Sequence, residues 1–346
     1  MMQMQKIVLA LTLATFSLAC KKDADPIIVI PPSAGSQLQL NGLVASEAGS
    51  SAGNTVFVDL STDKQTPVAR SGWDLGFYDG SDFRAIINNS TSATAKVLAK
   101  NDLTLVGDAD TVGLDKLALG FDAAAFDLID NVLGDLSKTV IPAVSVTDAD
   151  NKVIVLNRGT GGGTPARDWY KLRVLRSGAG YKLQYAKLAA TTFSTFTIAK
   201  DANYNFSYVS LENGAVPVEP AKNLWDFKWS YSLYQTANGP DMIPYAFSDL
   251  VTINSLAGVQ AAEVLTSTVS YDNYGMANVP TSTWLSTTDA IGGKWRSTQP
   301  ATGVKTDRFY VVKDANGNYY KIKFLAMGAG DGGTRGKPQF QYALVK

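Results

Sequence analysis

The stretch WYKLRVLRSGAGYKLQYAKL, Trp169–Leu188, decides the fold class. Tyr170, Leu172 and Val174 alternate with Lys171 and Arg173, the period of two expected of a strand with one buried face. Ser177-Gly178 then separates this run from Tyr181-Lys182-Leu183-Gln184-Tyr185, and glycine supplies the positive φ that a tight hairpin needs. The stretch therefore predicts an antiparallel hairpin. It aligns without gaps on RFYVVKDANGNYYKIKFLAM, Arg308–Met327. There Tyr320, Ile322 and Phe324 alternate with Lys321 and Lys323, and Asn316-Gly317 makes the turn.

Other pieces repeat as well. Val58-Asp59-Leu60 leads to Trp73-Asp74-Leu75-Gly76-Phe77-Tyr78, and Val209-Ser210-Leu211 leads to Trp225-Asp226-Phe227-Lys228-Trp229. Thr195-Phe196-Thr197-Ile198-Ala199-Lys200 matches Gln341-Tyr342-Ala343-Leu344-Val345-Lys346. The pattern predicts a mostly β protein of two tandem antiparallel domains, 37–200 and 201–346, with short helical insertions. One insertion is expected at 121–136. Phe121, Ala125, Leu128, Val132 and Leu136 recur there at helical spacing, with Asp122, Asp127, Asp130 and Asp135 on a solvated face. A shorter helical piece is expected from Val259 to Leu265.

Composition removes most catalytic schemes. The 346 residues include no histidine and one cysteine, which excludes His-based triads, His-ligated zinc, intrachain disulfides and Cys-rich metal sites. Lys plus Arg and Asp plus Glu both number 31, so no basic excess points to nucleic acid.

At the N-terminus, Lys6 precedes the apolar run Ile7 to Leu18, too short to span hydrocarbon and suited to an export signal. Ser17-Leu18-Ala19-Cys20 ends it. Residues 1–19 read as a lipoprotein signal peptide, with Cys20 as the lipid acceptor. Residues 20–36, with Pro26, Pro31 and Pro32, read as an extended tether.

Candidate sites thin out on inspection. Asp314-Ala-Asn316-Gly-Asn318 lacks the glycine at position six and glutamate at position twelve of a calcium loop, and reads as a hairpin turn. Gly159-Thr-Gly-Gly-Gly163 lacks the ending of a phosphate loop and reads as a flexible connection. Asp74 and Asp226 fall one per repeat, so a structural role beside the tryptophans is expected rather than paired-carboxylate catalysis. The second repeat carries Trp225, Trp229, Tyr231, Tyr234, Tyr245, Phe247, Tyr271, Tyr274 and Trp284, which serve either a sheet core or a flat apolar pocket. It also carries Met242, Met276 and Met327. Met327 takes the core position of Leu188, whereas Met242 and Met276 sit among loop-forming residues as candidate thioether ligands.

The order of motifs resembles the HmuY-family lipoproteins, haem-binding surface proteins of certain Gram-negative bacteria. The resemblance rests on Trp225-Asp226 and the aromatic strand after it, Ile243-Pro244-Tyr245, Asn254-Ser-Leu-Ala-Gly258-Val259 and Ala290-Ile291-Gly292-Gly293-Lys294-Trp295-Arg296. Arg308 to Gly317 and Asp331-Gly-Gly-Thr-Arg335-Gly complete it. It implies an all-β fold that grips haem through two axial side chains from loops, His in some members and Met in others. In a chain without histidine it implies Met276 and Met242 as axial candidates and Tyr245, Tyr271 and Tyr274 as pocket residues, with no other metal and no catalytic residue. It further implies an outer-membrane, surface-exposed lipoprotein whose partners are haem or a small apolar ligand and an outer-membrane receptor or host protein. The alternative is a surface-binding or adhesion lipoprotein that keeps the fold without haem ligation.

Overall fold

The computed structural model describes residues 31–111, 113 and 117–346. The signal peptide expected at residues 1–19, and the expected lipid acceptor Cys20, lie outside the described residues. Pro32–Lys346 forms one compact unit.

The strands run in chain order through the first repeat as β1 (Gly35–Gln39), β2 (Asn54–Asp59), β3 (Lys64–Ala69), β4 (Leu75–Tyr78) and β5 (Ala85–Ile87). Then come β6 (Thr94–Val97), β7 (Ile154–Asn157), β8 (Tyr170–Ser177), β9 (Gly180–Lys187) and β10 (Ser194–Ile198). The second repeat opens with β11 (Phe206–Ser210), β12 (Gly214–Val216), β13 (Phe227–Asn238), β14 (Asp241–Ile253) and β15 (Gln260–Leu265). It closes with β16 (Arg296–Thr298), β17 (Ala301–Val304), β18 (Arg308–Lys313), β19 (Tyr319–Ala326) and β20 (Gln339–Leu344). Sheet I has the order β10-β9-β8-β7-β6, sheet II β12-β11-β4-β5, sheet III β14-β13-β2-β3 and sheet IV β1-β20-β19-β18-β15, with β16-β17 a separate ribbon. All the pairings are antiparallel.

Both decisive hairpins form. Ser177 pairs with Gly180, leaving Gly178 at φ 57° in a two-residue turn. In the second hairpin the Asp314 carboxylate accepts the Asn316 and Asn318 N–H groups at 2.9 and 2.7 Å, and Gly317 turns at φ 89°. The order β10-β9-β8 in sheet I is echoed by β20-β19-β18 in sheet IV, so the sequence repeat is also a topological one.

The repeats exchange a hairpin across the 200/201 position. β2 pairs with β13, and β11 pairs with β4. Val56, Val58 and Leu60 are thereby buried with Phe227 and Trp229 in one core, while Val209 and Leu211 join Leu75, Phe77, Leu172 and Leu183 in the other. The alternating apolar residues of each Val-x-Leu strand find their matching face only in the other repeat. In space, one body holds β4 to β12, and the other holds β1 to β3 with β13 to β20.

Two helical expectations are corrected. Residues 121–136 form 3-10 turns, Ala123–Leu128 and the start of Leu136–Lys138, rather than an amphipathic α-helix. Asp122 and Asp135 bend the backbone by accepting the N–H groups of Ala125 and Ser137, as aspartates do outside helix interiors. Asp130 is not on a solvated face. It is buried and accepts the Ile87 and Val140 N–H groups at 2.7 and 2.9 Å. Where a helical piece is expected over Val259 to Leu265, residues Gln260–Leu265 are strand β15, because pairing with β18 buries Ala261 and Ala262 and outweighs local helix propensity. Among the described residues no helix is long and apolar enough to cross a membrane.

Candidate functional site

The exchange builds the interior between sheets II and III. In β13, Phe227 and Trp229 point into the core, so Lys228 takes the opposite face, directly across the strand pair from Phe57. That face meets Phe206 and Tyr208 of β11, Val218 and the two repeat tryptophans. Trp225 packs edge-on to Phe57 at 5.1 Å and Trp73 edge-on to Tyr208 at 4.9 Å, a near-symmetric pair of pairs. The same symmetry governs the polar frame. Asn88 donates to the carbonyls of Arg70 and Trp73, and Asn254 donates to those of Lys222 and Trp225.

The symmetry leaves a cavity of about 180 Å³ between the sheets. Phe57, Trp73, Tyr208, Val218 and Trp225 form apolar walls, and exposed Leu256 stands at its rim. Its lining is otherwise polar in part, and includes Glu219, Lys228, Asn89, Asp130 and Asp135. Glu219 Oε1 accepts the Asn205 and Phe206 N–H groups at 2.8 Å each, and burial pushes its carboxyl up to about 7. The Lys228 ammonium makes no hydrogen bond or ion pair among the described residues. It lies over the Phe57 ring, 5.9 Å from its centroid, and burial pulls its pKa down while Glu219 opposes that shift. Trp225 Nε1 and Asn89 Oδ1 are buried without a partner among the described residues. Lys228 stands where the first repeat has Gly76, and that asymmetry in Trp-Asp-Phe-Lys-Trp was the one signal in the sequence that could have pointed here. Glu219 and Asn89 had none.

Asp74 and Asp226 hold structural places beside their tryptophans. Asp74 takes a bidentate pair from Arg158, at 2.8 and 3.0 Å, and the Leu211 N–H. Asp226 accepts the Leu60 N–H and forms no ion pair among the described residues. Burial pushes its carboxyl up to about 8, and Asp59 and Asp314 add to the shift. The Gly159–Gly163 loop is an ordered cradle: Gly161 and Gly162 carbonyls accept from the Arg70 guanidinium. Among the described residues no group of three or more His, Cys, Asp or Glu could hold a metal ion.

The methionines and tyrosines singled out in the sequence lie elsewhere. Tyr271 and Tyr274 are buried edge-on against Phe309, each at 5.6 Å, in a layer on the outer face of sheet IV. Lys321 Nζ ties down that loop by donating to the carbonyls of Tyr271 and Tyr274. Met276 follows, 47% exposed, with its N–H on the Lys346 carbonyl. Met242 is 43% exposed on β14. Tyr245 lies three residues on, and so on the opposite face of that strand. Phe309 and Val311 face the layer under Met276, whereas Tyr310 and Val312 face the core shared with sheet III. The loop of Met276 thus covers the side of sheet IV turned away from sheet III, which carries Met242. The structure does not bring the two thioethers together, and neither lines the cavity. Met327 is fully buried in the core. Each exposed thioether is thus open to an outside ligand only as a separate donor. Together they do not fit a haem with two methionine ligands.

The model of the HmuY protein family matches residues 51–342. No curated protein matches the chain. Among solved structures, the crystal structure of apo PinO from Porphyromonas gingivitis is 15% identical, covers 45% of this chain and 87% of its own, and superposes with a TM-score of 0.16.

Proposed function

The chain belongs to the HmuY family, and from that premise we propose a lipid-anchored protein of the outer-membrane surface that captures haem or a related flat apolar ligand without catalysis. The family is one of haem-binding, non-enzymatic surface proteins. The observation that supports the ligand reading is the exposure of Met276 beside an aromatic layer, in contrast to the fully buried Met327. A thioether must reach solvent to meet a ligand from outside. Haem, when bound, supplies an iron that such a soft donor can ligate. Met276 is the first candidate, and Met242 serves as a separate, second one.

The separation of Met242 and Met276 by sheet IV favours a second reading, a surface-binding or adhesion lipoprotein that keeps the fold without haem ligation. A haemin titration of the full chain separates the two. The first reading expects a saturable Soret band, tighter binding under reducing conditions, and no imidazole-type step between about pH 5 and 8. Met276→Ala should weaken the band. An unchanged spectrum and affinity in both Met276→Ala and Met242→Ala removes thioether ligation. No saturable band in the wild type leaves the second reading.

A further inference from the structure

We propose that the cavity between sheets II and III is a ligand site of its own, for a small monocarboxylate with an apolar body. Neither Met242 nor Met276 lines it, so it is separate from the haem reading.

The inference starts from groups that lack partners. A buried N–H without an acceptor is costly and rare in folded proteins. Trp225 is 6% exposed, and its Nε1–H has no acceptor among the described residues although the ring lines the cavity. The Lys228 ammonium lines the same space and likewise has neither a hydrogen bond nor an ion pair among the described residues. Both side chains flank Phe57, Trp225 at 5.1 Å and Lys228 at 5.9 Å from its ring centroid. Two unsatisfied donors, one of them cationic, thus stand around one aromatic ring. A carboxylate in the cavity satisfies the ammonium through a charge-assisted bond, and reaches the indole N–H, which is closed to the cavity here, only if the Trp225 ring shifts.

The remaining walls set the rest of the ligand. Phe57, Trp73, Tyr208 and Val218 offer carbon surfaces. The volume, about 180 Å³, slightly exceeds the roughly 150 Å³ cavity that holds a benzene ring, leaving room for a ring and one small polar group. Glu219, Asp130 and Asp135 all line the cavity beside the one cation Lys228, which limits a ligand to a single negative charge placed at the ammonium. The Glu219 carboxyl already holds two backbone N–H groups within the cavity wall and would repel a dianion such as a phosphate monoester. In the first repeat the place of Lys228 is taken by Gly76, where a Cβ would come within 2.9 Å of Ile86 and 3.1 Å of Tyr208. The cation therefore stands on one side of the pseudo-symmetric cavity only, which gives the ligand a defined orientation.

The test titrates the full chain with phenylacetate and with its neutral isostere phenylacetamide, followed by calorimetry and tryptophan fluorescence. Phenylacetate should saturate at least about tenfold more tightly than the amide. Lys228→Met should erase that preference. Val218→Phe, which fills the cavity without touching the charge, should abolish binding of both and serves if Lys228→Met does not fold. The proposal is overturned by equal affinities in the wild type, by an intact preference in Lys228→Met, by unchanged binding in Val218→Phe, or by no saturation at millimolar phenylacetate.

Discussion

The Asp226 carboxylate accepts the backbone N–H of Leu60 at 2.8 Å, across 166 residues of chain. Asp74 and Leu211 make the same bond at 2.9 Å. Each repeat therefore clamps the Val-x-Leu strand of the other with the aspartate that follows its tryptophan. The two clamps differ in charge balance: Asp74 has Arg158, and Asp226 has no cation partner among the described residues.

That difference makes stability pH-dependent. The Asp226 carboxyl is pushed up to about 8 in the fold, above its unfolded value, so the folded state binds more protons. Its contribution is most favourable below about pH 4 and is lost as pH rises toward 8. Asp130 and Glu219, both raised to about 7, act in the same direction. Urea unfolding should give lower stability at pH 8.5 than at pH 5. Asp226→Asn keeps an acceptor for Leu60 and should flatten that slope, with a gain on the order of 1–3 kcal/mol at pH 8.5. A steeper slope in the variant would contradict this.

Arg158→Met should act oppositely. It strands Asp74 in the interior with only Arg167, 3.4 Å away, as a remaining cation. Breaking a buried pair from one side costs about 3–5 kcal/mol. The loss should show in urea midpoints at neutral pH and shrink in Arg158→Met combined with Asp74→Asn.

Gly162 and Gly178 have nearly the same φ, 60° and 57°. At Gly162 a Cβ would lie 2.2 Å from the Arg70 guanidinium, whereas at Gly178 nothing stands within 4 Å. Gly178→Ala should cost about 1 kcal/mol, from backbone strain alone. Gly162→Ala should cost clearly more, since it also displaces Arg70 from its carbonyl cradle. Thermal melts of the two variants side by side measure the difference.

The hairpin exchange predicts which fragments fold. A piece spanning 73–218 keeps β4 to β12 together and should fold alone. A piece spanning 201–346 lacks β2, the partner of β13, with β3 beyond it, and should gain structure only when 32–69 is added. Circular dichroism of 201–346, with and without that peptide, decides it; a cooperative melt of 201–346 alone would refute the dependence.

Cys20→Ala should release the protein from membranes. Retention in the membrane fraction after a high-salt wash would count against lipid anchoring.

Period-two alternation in Trp169–Leu188 and Arg308–Met327, with glycine at the turns, was enough to determine the strands, the two hairpins and the existence of a repeat. These are local consequences of side-chain alternation and backbone sterics. Helix periodicity at 121–136 misled, because spacing does not tell whether an aspartate faces water or, like Asp130, receives buried N–H groups. Met327 was legible as core from its place at the end of a repeated strand. Tyr271 and Tyr274 could be read as core or as pocket, and the structure buries both against Phe309. Only the tertiary structure decided that β2 crosses to β13 and β11 to β4, since alternation specifies which face is apolar but not which of two equivalent partners covers it. That pairing turned Lys228 toward Phe57 and made a cavity from residues as far apart as Thr55 and Thr288, of which only the repeat tryptophans and the Lys228 asymmetry left a mark in the sequence.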